Sequence, residues 1–305
     1  MSINSRSGKD TEAMSAELPH KLLPPLLLLA VGSLNAVIIS LSKLAISNGV
    51  PPLANAFWTS CGAGLALLLI ALRKAPSNLG TKIRYGLLAG SVSVALPTAL
   101  VALVINHIGS GMTSVVYAFP PLLTYLLSLP MGLDRPSFRR FAGILIGLAG
   151  ALIIVFPPDG GSVNLWMALA MLIPVSLAWG NIYRTTAWPQ GGRPGELAAM
   201  VQLGAASLLI LPMFFAGQVY LPFADSDIAS YALLAQMAVT TVMYVLFFML
   251  QKVGGPVYLS QIGYVIVATG LMIGWAVFGE NYSASVFAAL GLIAAGLYLA
   301  NKRKA

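Results

Sequence analysis

Ten apolar runs of helical length, separated by short polar loops, dominate this chain of 305 residues. A membrane-spanning helix needs about 20 apolar residues, and a window of that width predicts ten spans. Charged side chains make up only 9% of the sequence. Soluble domains carry roughly 25%, so water could not cover the surface of such a fold. We therefore predict an all-α integral membrane protein with spans at 22–42, 53–72, 85–106, 112–131, 139–156, 164–183, 195–217, 230–250, 257–278 and 284–300.

Residues suited to metal binding and catalysis are scarce. With a single cysteine, Cys61, and only two histidines, the chain cannot form an internal disulfide and offers little for a metal site. Neither a His-Glu-x-x-His nor a Gly-x-Ser-x-Gly motif occurs. The sequence accordingly predicts no enzyme and no cofactor, and a non-transport membrane protein is the least supported alternative.

The positive charges predict the orientation of the chain. If the N-terminus is cytoplasmic, 16 of the 17 Lys and Arg residues fall in cytoplasmic segments, and only Lys43 falls outside. This asymmetry follows the positive-inside rule, so the net charge of +8 indicates topology and no nucleic-acid partner. Both termini are predicted to be cytoplasmic, with a disordered polar tail over 1–21 and a basic end over 302–305.

The chain also repeats itself with an offset of 146 positions, the separation of Asn35 and Asn181. Each half holds five spans, and an odd number of spans inverts the second half relative to the first. We therefore predict two inverted five-helix repeats, 22–157 and 158–301, an arrangement that places a transporter's substrate site between the halves. Further matches at this offset are Tyr85–Ala89 with Tyr231–Ala235, Gly109 with Gly255, Asp134 with Glu280 and Gly150 with Gly296.

Both halves share a plan of small residues at a helix start, a loop of the Gly-Glu type and a glycine-rich closing helix. The stretches that follow it are Gly109–Thr124 (GSGMTSVVYAFPPLLT), Gly132–Arg135, Gly143–Gly150, Phe278–Glu280 and Gly291–Gly296, together with the pair Trp179–Gly180. In these features the chain resembles the drug/metabolite transporter superfamily, specifically its EamA-type ten-helix permeases. Members of this family often carry an arginine about seven residues after a proline at the start of the second helix of a repeat. This chain lacks it, because Trp58 follows Pro51 by seven residues and Val201 follows Pro194 by seven.

The resemblance implies a multi-pass protein of the bacterial inner membrane that exports amino acids or similar small polar metabolites by alternating access. A translocase for lipid or glycolipid intermediates on the same fold is the alternative. The expected partners are a small-molecule substrate and membrane lipids, with the chain acting as a monomer or a homodimer. The glycine and alanine residues of spans five and ten predict close helix packing or a dimer face.

Two adjacent prolines, Pro120 and Pro121, interrupt the fourth predicted span. Each removes a backbone donor and frees a carbonyl group, which lipid cannot pair. Tyr117 and Thr124 share a helix face with Pro121. The break predicts either the wall of a polar cavity or a packing bend whose hydroxyls bond their own helix. The repeat and the family resemblance favour the cavity.

Polar side chains in otherwise apolar spans are the candidates for lining this cavity. Any one of them could join two helices by a hydrogen bond, but their spread over several spans favours a small polar ligand. The candidates are Asn35, Tyr117, Thr124, Trp179, Asn181, Thr240, Tyr244, Gln261 and Tyr264.

The prediction about energy coupling depends on the charged residues that the predicted spans lack. No acidic residue lies at the centre of a predicted span, and no basic residue is predicted inside the cavity. Proton relays usually use an intramembrane Asp, Glu or His, which leaves His107, at the outer end of the third span, as the one candidate. The sequence therefore predicts facilitated diffusion or exchange, driven by the gradient of the metabolite itself.

The predicted topology can be tested by labelling introduced cysteines in intact cells. Thiols placed at Asp159 and Asp225 should react with an impermeant reagent, because both positions fall in outer loops. A thiol at Ser77 should stay unlabelled, since 73–84 is predicted to be cytoplasmic. Labelling of Ser77→Cys from outside would overturn the topology.

Overall fold

The computed structural model describes residues 6–71, 78–155, 165–222 and 228–301, and all regular structure within them is helical. The α-helices are α1 (Arg6–Ser47), α2 (Pro52–Ala71), α3 (Leu79–Gly90), α4 (Leu96–Ile108), α5 (Ser110–Val115), α6 (Pro120–Ser128), α7 (Phe138–Val155), α8 (Leu165–Ala170), α9 (Leu172–Thr186), α10 (Pro194–Phe215), α11 (Ile228–Ser260), α12 (Ile262–Phe278) and α13 (Ala284–Asn301). A π-helical turn, Ser91–Ala95, joins α3 to α4, and a 3-10 turn, Val116–Ala118, follows α5.

Six helical segments in the described residues are long and apolar enough to cross a membrane. They are Leu23–Ser47, Pro52–Ala71, Leu79–Ile108, Leu165–Thr186, Pro194–Phe215 and Ile228–Ser260, and they coincide with predicted spans one to three and six to eight. α7 coincides with span five, and the shorter apolar helices α12 and α13 coincide with spans nine and ten. The protein is thus an all-helical, multi-pass membrane protein, while the count of ten spans stays a prediction.

The helix α1 begins at Arg6, inside the segment that the sequence assigns to a disordered tail. Ala, Glu, Met and Leu are frequent in this part of the chain, and all four are strong helix formers. Local propensity therefore extends the first helix beyond the apolar run. The positions 1–5, and the basic end at 302–305, lie outside the described residues.

The fourth predicted span is not one continuous helix. α5 ends at Val115, the 3-10 turn follows, and α6 begins at Pro120. Proline suits the first positions of a helix, because the N–H that it lacks would have no intrahelical partner there. Pro120 and Pro121 are both buried, so the pair starts a new helix inside the protein instead of bending a long one.

Contacts between helices occur in pairs related by the 146-residue offset. α1 packs on α11 and α12, and α9, which holds the equivalent positions in the second half, packs on α4 and α6. Two further contacts join equivalent helices to each other, namely α2 with α10 and α7 with α13, and α5 of the fourth predicted span packs on α12 of the ninth. A repeat with this offset would produce this set of contacts.

Glycines make the closest of these contacts possible. A side chain at Gly150 would lie 2.6 Å from the carbonyl oxygen of Ala289, and one at Gly296 would clash with the carbonyl of Gly143. The offset exchanges these two contacts, since 150 pairs with 296 and 143 with 289. These glycines of the fifth and tenth spans therefore pack closely within the chain, as the first of the two interpretations predicts, and the dimer face stays a prediction.

Another close contact lies where the two halves cross. The backbone of Gly263, in α12, touches the carbonyl oxygen of Tyr117 in the 3-10 turn, and these two positions are themselves 146 apart. A methyl group at Gly263 would overlap that backbone oxygen, which cannot move without shifting the turn. We therefore expect Gly263 to contribute to the stability of the fold.

Gly263→Ala should destabilise the protein by about 1–3 kcal/mol or more, because overpacking of a close backbone contact forces the helices apart. Gly291→Ala is the matched control, since nothing lies within 4 Å of a side chain there. Thermal unfolding of the detergent-purified variants measures the difference. Equal stability of the two variants would contradict this account of the crossing.

Candidate functional site

A polar cavity of about 90 Å³ lies between the two halves of the chain. Its walls come from α1, α2, α4, α6, α9, α10, α11 and α12, with the π-helical turn and the 3-10 turn between them. A single water needs about 10–15 Å³ of such volume, so several waters or one small metabolite fit. Six predicted residues line it: Asn35, Tyr117, Pro120, Asn181, Thr240 and Tyr244.

The π-helical turn helps to open this space. Ser93 and Val94 of the turn line the cavity, as does Pro97 just after it. Pro97 has no backbone N–H, so the normal hydrogen-bond ladder cannot continue through this position, and π turns often mark functional sites. The hydroxyl of Ser176 in α9 donates to the carbonyl of Val92, which pairs a backbone group inside the bundle. The sequence analysis did not identify this turn.

Other predicted residues lie away from the cavity lining. Thr124 is fully buried beside it, with its hydroxyl 3.4 Å from the amide of Asn181, and Pro121 is buried next to Pro120. Trp179 is 48% exposed on the outside of the bundle. Tyr264 packs against an apolar cluster that includes Val267. The two asparagines at equivalent positions, Asn35 and Asn181, do meet at the cavity.

His107 also lies outside the cavity lining. It is exposed at the end of α4, and its ring stacks on Trp166 with centroids 3.7 Å apart and planes inclined by 2°. The predicted coupling role of this histidine would require a path from the surface to the cavity. In the described residues, no group of three His, Cys, Asp or Glu side chains could hold a metal ion.

Arg184 is the main correction to the predicted site. The sequence analysis assigned it to a cytoplasmic loop and expected no basic residue in the cavity, but Arg184 lines the cavity and is 1% exposed. Its Nε donates to the Oε1 of Gln251 at 3.1 Å, and its Nη2 donates to the Oδ1 of Asn181 at 2.7 Å. The guanidinium also lies over the ring of Phe247, 4.8 Å from the centroid.

Four other polar atoms of the cavity lining are buried without a hydrogen-bond partner in the described protein. They are the amide oxygens of Gln202 and Gln236 and the hydroxyls of Thr59 and Thr240. A buried polar atom left unpaired costs about 1–3 kcal/mol, and native proteins satisfy most such atoms. The cavity is therefore built to hold water or a ligand that supplies hydrogen bonds, above all N–H or O–H donors for the two amide oxygens.

One end of the bundle is held together by the carboxylate of Glu280. It accepts hydrogen bonds from the backbone N–H groups of Ser110 (2.8 Å) and Gly111 (2.9 Å), from the hydroxyl of Tyr282 (2.6 Å) and from the ammonium of Lys43. Lys43 had been predicted as the one outer cation, and here it joins α1 to the loop before α13. This end is the predicted outer one.

The environment of Glu280 sets its charge. Burial alone would raise the pKa of this carboxyl, but hydrogen bonds from Lys43, Tyr282, Gly111 and Ser110 lower it from the ordinary 4.5 to about 2. Because the pKa is lowered, these contacts stabilise the folded protein fully at a pH above the ordinary pKa of 4.5. That stabilisation is lost as the pH falls toward about 2. Glu280 therefore stays ionised at neutral pH.

The equivalent acidic residue, Asp134, is engaged differently. It pairs with Arg140 and accepts from the N–H of Arg135 at 2.8 Å. A cleft of about 450 Å³ lies between Asp134 and the segment Gly255–Tyr258 and reaches Gln261. Gly255, with φ of 71°, is the equivalent of Gly109, with φ of 82°. The two glycines share a backbone conformation that other residues rarely adopt.

The profile of the EamA-like transporter family matches residues 23–156. This part of the chain, less than half of its length, is similar to that transporter family. The matched segment runs from the first predicted span to the end of the fifth, and the resemblance to EamA-type permeases is confirmed there.

The chain also shares its fold with a solved protein. A crystal structure described only as that of a protein superposes with a TM-score of 0.63 and 18% sequence identity, over 92% of this chain and 96% of the other. At that identity the likeness shows the fold alone. The comparison with curated proteins finds no match.

Two cations, Lys82 and Arg184, show what sequence reasoning missed. Lys82 was counted among the cytoplasmic cations, but it forms a buried ion pair of 2.8 Å with Glu196, between α3 and α10. Arg184 lies three residues after Asn181, so the two side chains share a helix face. This spacing was the available signal, since a cation beside a polar cavity residue on one face points inward.

Proposed function

We propose that this protein carries small polar metabolites, with amino acids as the favoured class, across the bacterial inner membrane by alternating access. The single observation that carries this proposal is the polar cavity between the two halves, with its four unpaired buried atoms. The match of residues 23–156 to a transporter family supports a transport function. The resemblance of this chain to EamA-type exporters favours efflux as the direction of transport.

The nature of the cavity lining favours a small polar substrate over a lipid. An acyl chain in this space would leave the amide oxygens of Gln202 and Gln236 unpaired, at about 1–3 kcal/mol each. A metabolite with N–H or O–H groups would pair them. The cavity lining therefore favours a permease for small polar metabolites over a lipid translocase.

We infer that the two halves act as inverted repeats that rock around the cavity. Support comes from the helix contacts that pair under the 146-residue offset and from the crossing of Tyr117 and Gly263. In transporters of this kind the substrate site lies between the repeats, near the middle of the membrane. Asn35 and Asn181, one from each half, occupy equivalent positions at this cavity.

Glu280 and Asp134 suit the two ends of such a cycle. Glu280 binds the N–H groups of Ser110 and Gly111 and closes the end predicted to be outer. We propose that Asp134 approaches Val257, the equivalent of Gly111, when the other end closes. Pro256 stands where Ser110 donates and has no N–H, so this second contact would be the weaker one.

The proposed cycle needs no coupled ion. Glu280 stays ionised at neutral pH and so cannot bind and release a proton there. His107 lies on the surface. We therefore propose exchange or facilitated diffusion, in which the gradient of the metabolite drives its own movement.

Counterflow in proteoliposomes tests this function. Vesicles preloaded with the twenty unlabelled amino acids should take up labelled ones without any pH or sodium gradient. Gln236→Leu and Thr240→Val should each reduce the rate at least tenfold, because they remove a polar atom of the cavity at nearly constant volume. Trp179→Leu is the control and should transport normally, since Trp179 lies outside the cavity lining.

Three results would contradict the proposal. Normal counterflow in both cavity variants would separate transport from this cavity. Uptake that occurs only under an imposed proton gradient would refute the uncoupled mechanism. A loss of activity in Trp179→Leu equal to that of the cavity variants would assign the effect to general damage.

A further inference from the structure

Arg184 is a buried cation without an anionic partner in the part of the chain that the structure describes. The ion pairs found there join Lys43 to Glu280, Lys82 and Arg193 to Glu196, and Arg140 to Asp134. The two hydrogen bonds of Arg184 go to neutral amide oxygens, those of Gln251 and Asn181. A charge buried in this way is unfavourable unless something pairs with it.

We propose that Arg184 binds the carboxylate of the transported substrate. This inference rests on the proposed function, and it names the chemical class of ligand that the cavity accepts. A guanidinium carries five N–H donors in a planar fork, and the contacts to Gln251 and Asn181 use two of them. The remaining donors suit a carboxylate, which arginine binds through two parallel hydrogen bonds.

The neighbours of Arg184 hold the guanidinium in place for such a ligand. Asn181 on the same helix and Gln251 on α11 fix two of its nitrogens, and the ring of Phe247 covers one face. Gln251 is itself held, because its amide nitrogen donates to the hydroxyl of Thr185 at 3.2 Å. A positioned donor set of this kind binds a planar anion with little loss of side-chain freedom.

The charge of the cavity argues for a carboxylate and against a phosphate. Among the described residues that line the cavity, Arg184 is the single charged one. One cation matches one negative charge, whereas a phosphate monoester carries between one and a half and two at neutral pH. A carboxylate therefore neutralises the guanidinium of Arg184, whereas a phosphate would leave excess negative charge beside it.

The rest of the cavity lining favours a donor group on the same ligand. The hydroxyl of Thr240 on α11 is buried without a hydrogen-bond partner in the described protein. Amide oxygens of Gln202 and Gln236 also lack donors there. A small carboxylate that also carries an N–H or O–H group would pair with Arg184 and with these unpaired atoms.

The alternative is that Arg184 has only a structural role and joins α9 to α11 through its hydrogen bond to Gln251. The two hypotheses predict different substrate selectivity. A structural arginine supports transport of every substrate alike, so its loss lowers all rates together. An arginine that binds the carboxylate discriminates between an amino acid and its carboxamide, which keeps the shape but lacks the charge.

Competition in counterflow assays tests the proposal. Labelled amino acids are the transported probes, and the competitors are the same amino acids unlabelled, their α-carboxamides and inorganic phosphate. In the wild type the acids should compete at least tenfold better than the carboxamides, and phosphate should not compete. Arg184→Gln should bring the ratio of acid to carboxamide near one, and Arg184→Lys should retain part of it. Arg135→Gln, an exposed arginine changed in the same way, should keep the wild-type ratio.

The outcomes separate this inference from the proposed function. If the wild type moves none of the amino acids, the proposed function fails. If it moves them but the carboxamides or phosphate compete equally well, the transport function stands and the carboxylate site is wrong. An unchanged ratio in a folded Arg184→Gln protein would also overturn it. Should that variant not fold, the wild-type competition and Arg184→Lys still decide.

Discussion

In the hydrocarbon of a membrane, every backbone and side-chain polar group must find its partner inside the protein. The chain meets this requirement with long apolar helices and departs from it at a few places. The start of α6 at Pro120, the π-helical turn and the crossing at Gly263 all lie at the central cavity. Irregular backbone at membrane depth is tolerated where it borders protein or water. The position of these helix breaks at the cavity follows from that constraint.

The same requirement explains why the cavity suggests a ligand. Its lining keeps two amide oxygens and two hydroxyls unpaired and places the guanidinium of Arg184 among neutral groups. A protein selected for stability alone would replace such groups with apolar ones, because unpaired buried polar atoms weaken the fold. Their presence is better explained by a substrate that pairs them during transport and releases them afterwards.

Much of the fold followed from hydrophobic runs, because a membrane helix is specified by length and apolar content alone. The cavity residues Asn35, Asn181 and Thr240 could be found because amides and hydroxyls stand out in apolar spans. Trp179 could not be placed, since its neighbours do not reveal which way the helix is turned.

Arg184 was placed wrongly because the positive-inside rule holds on average and not for every residue. Counting Lys and Arg near span ends assigns them to water, and the three-residue spacing from Asn181 was needed to see that this one faces inward. The buried pair of Lys82 and Glu196 escaped for the same reason. Long-range partners of this kind lie more than a hundred positions apart, where a single sequence carries no local signal.

The most direct test of the account is whether the cavity opens to both sides of the membrane. Ser60 lines it next to the native cysteine, so Ser60→Cys with Cys61→Ala moves the thiol into the cavity by one position. An impermeant thiol reagent should label this variant in intact cells and also in inside-out vesicles, and amino acids should slow the labelling from each side. Labelling from one side only, or from neither, would contradict alternating access through this cavity.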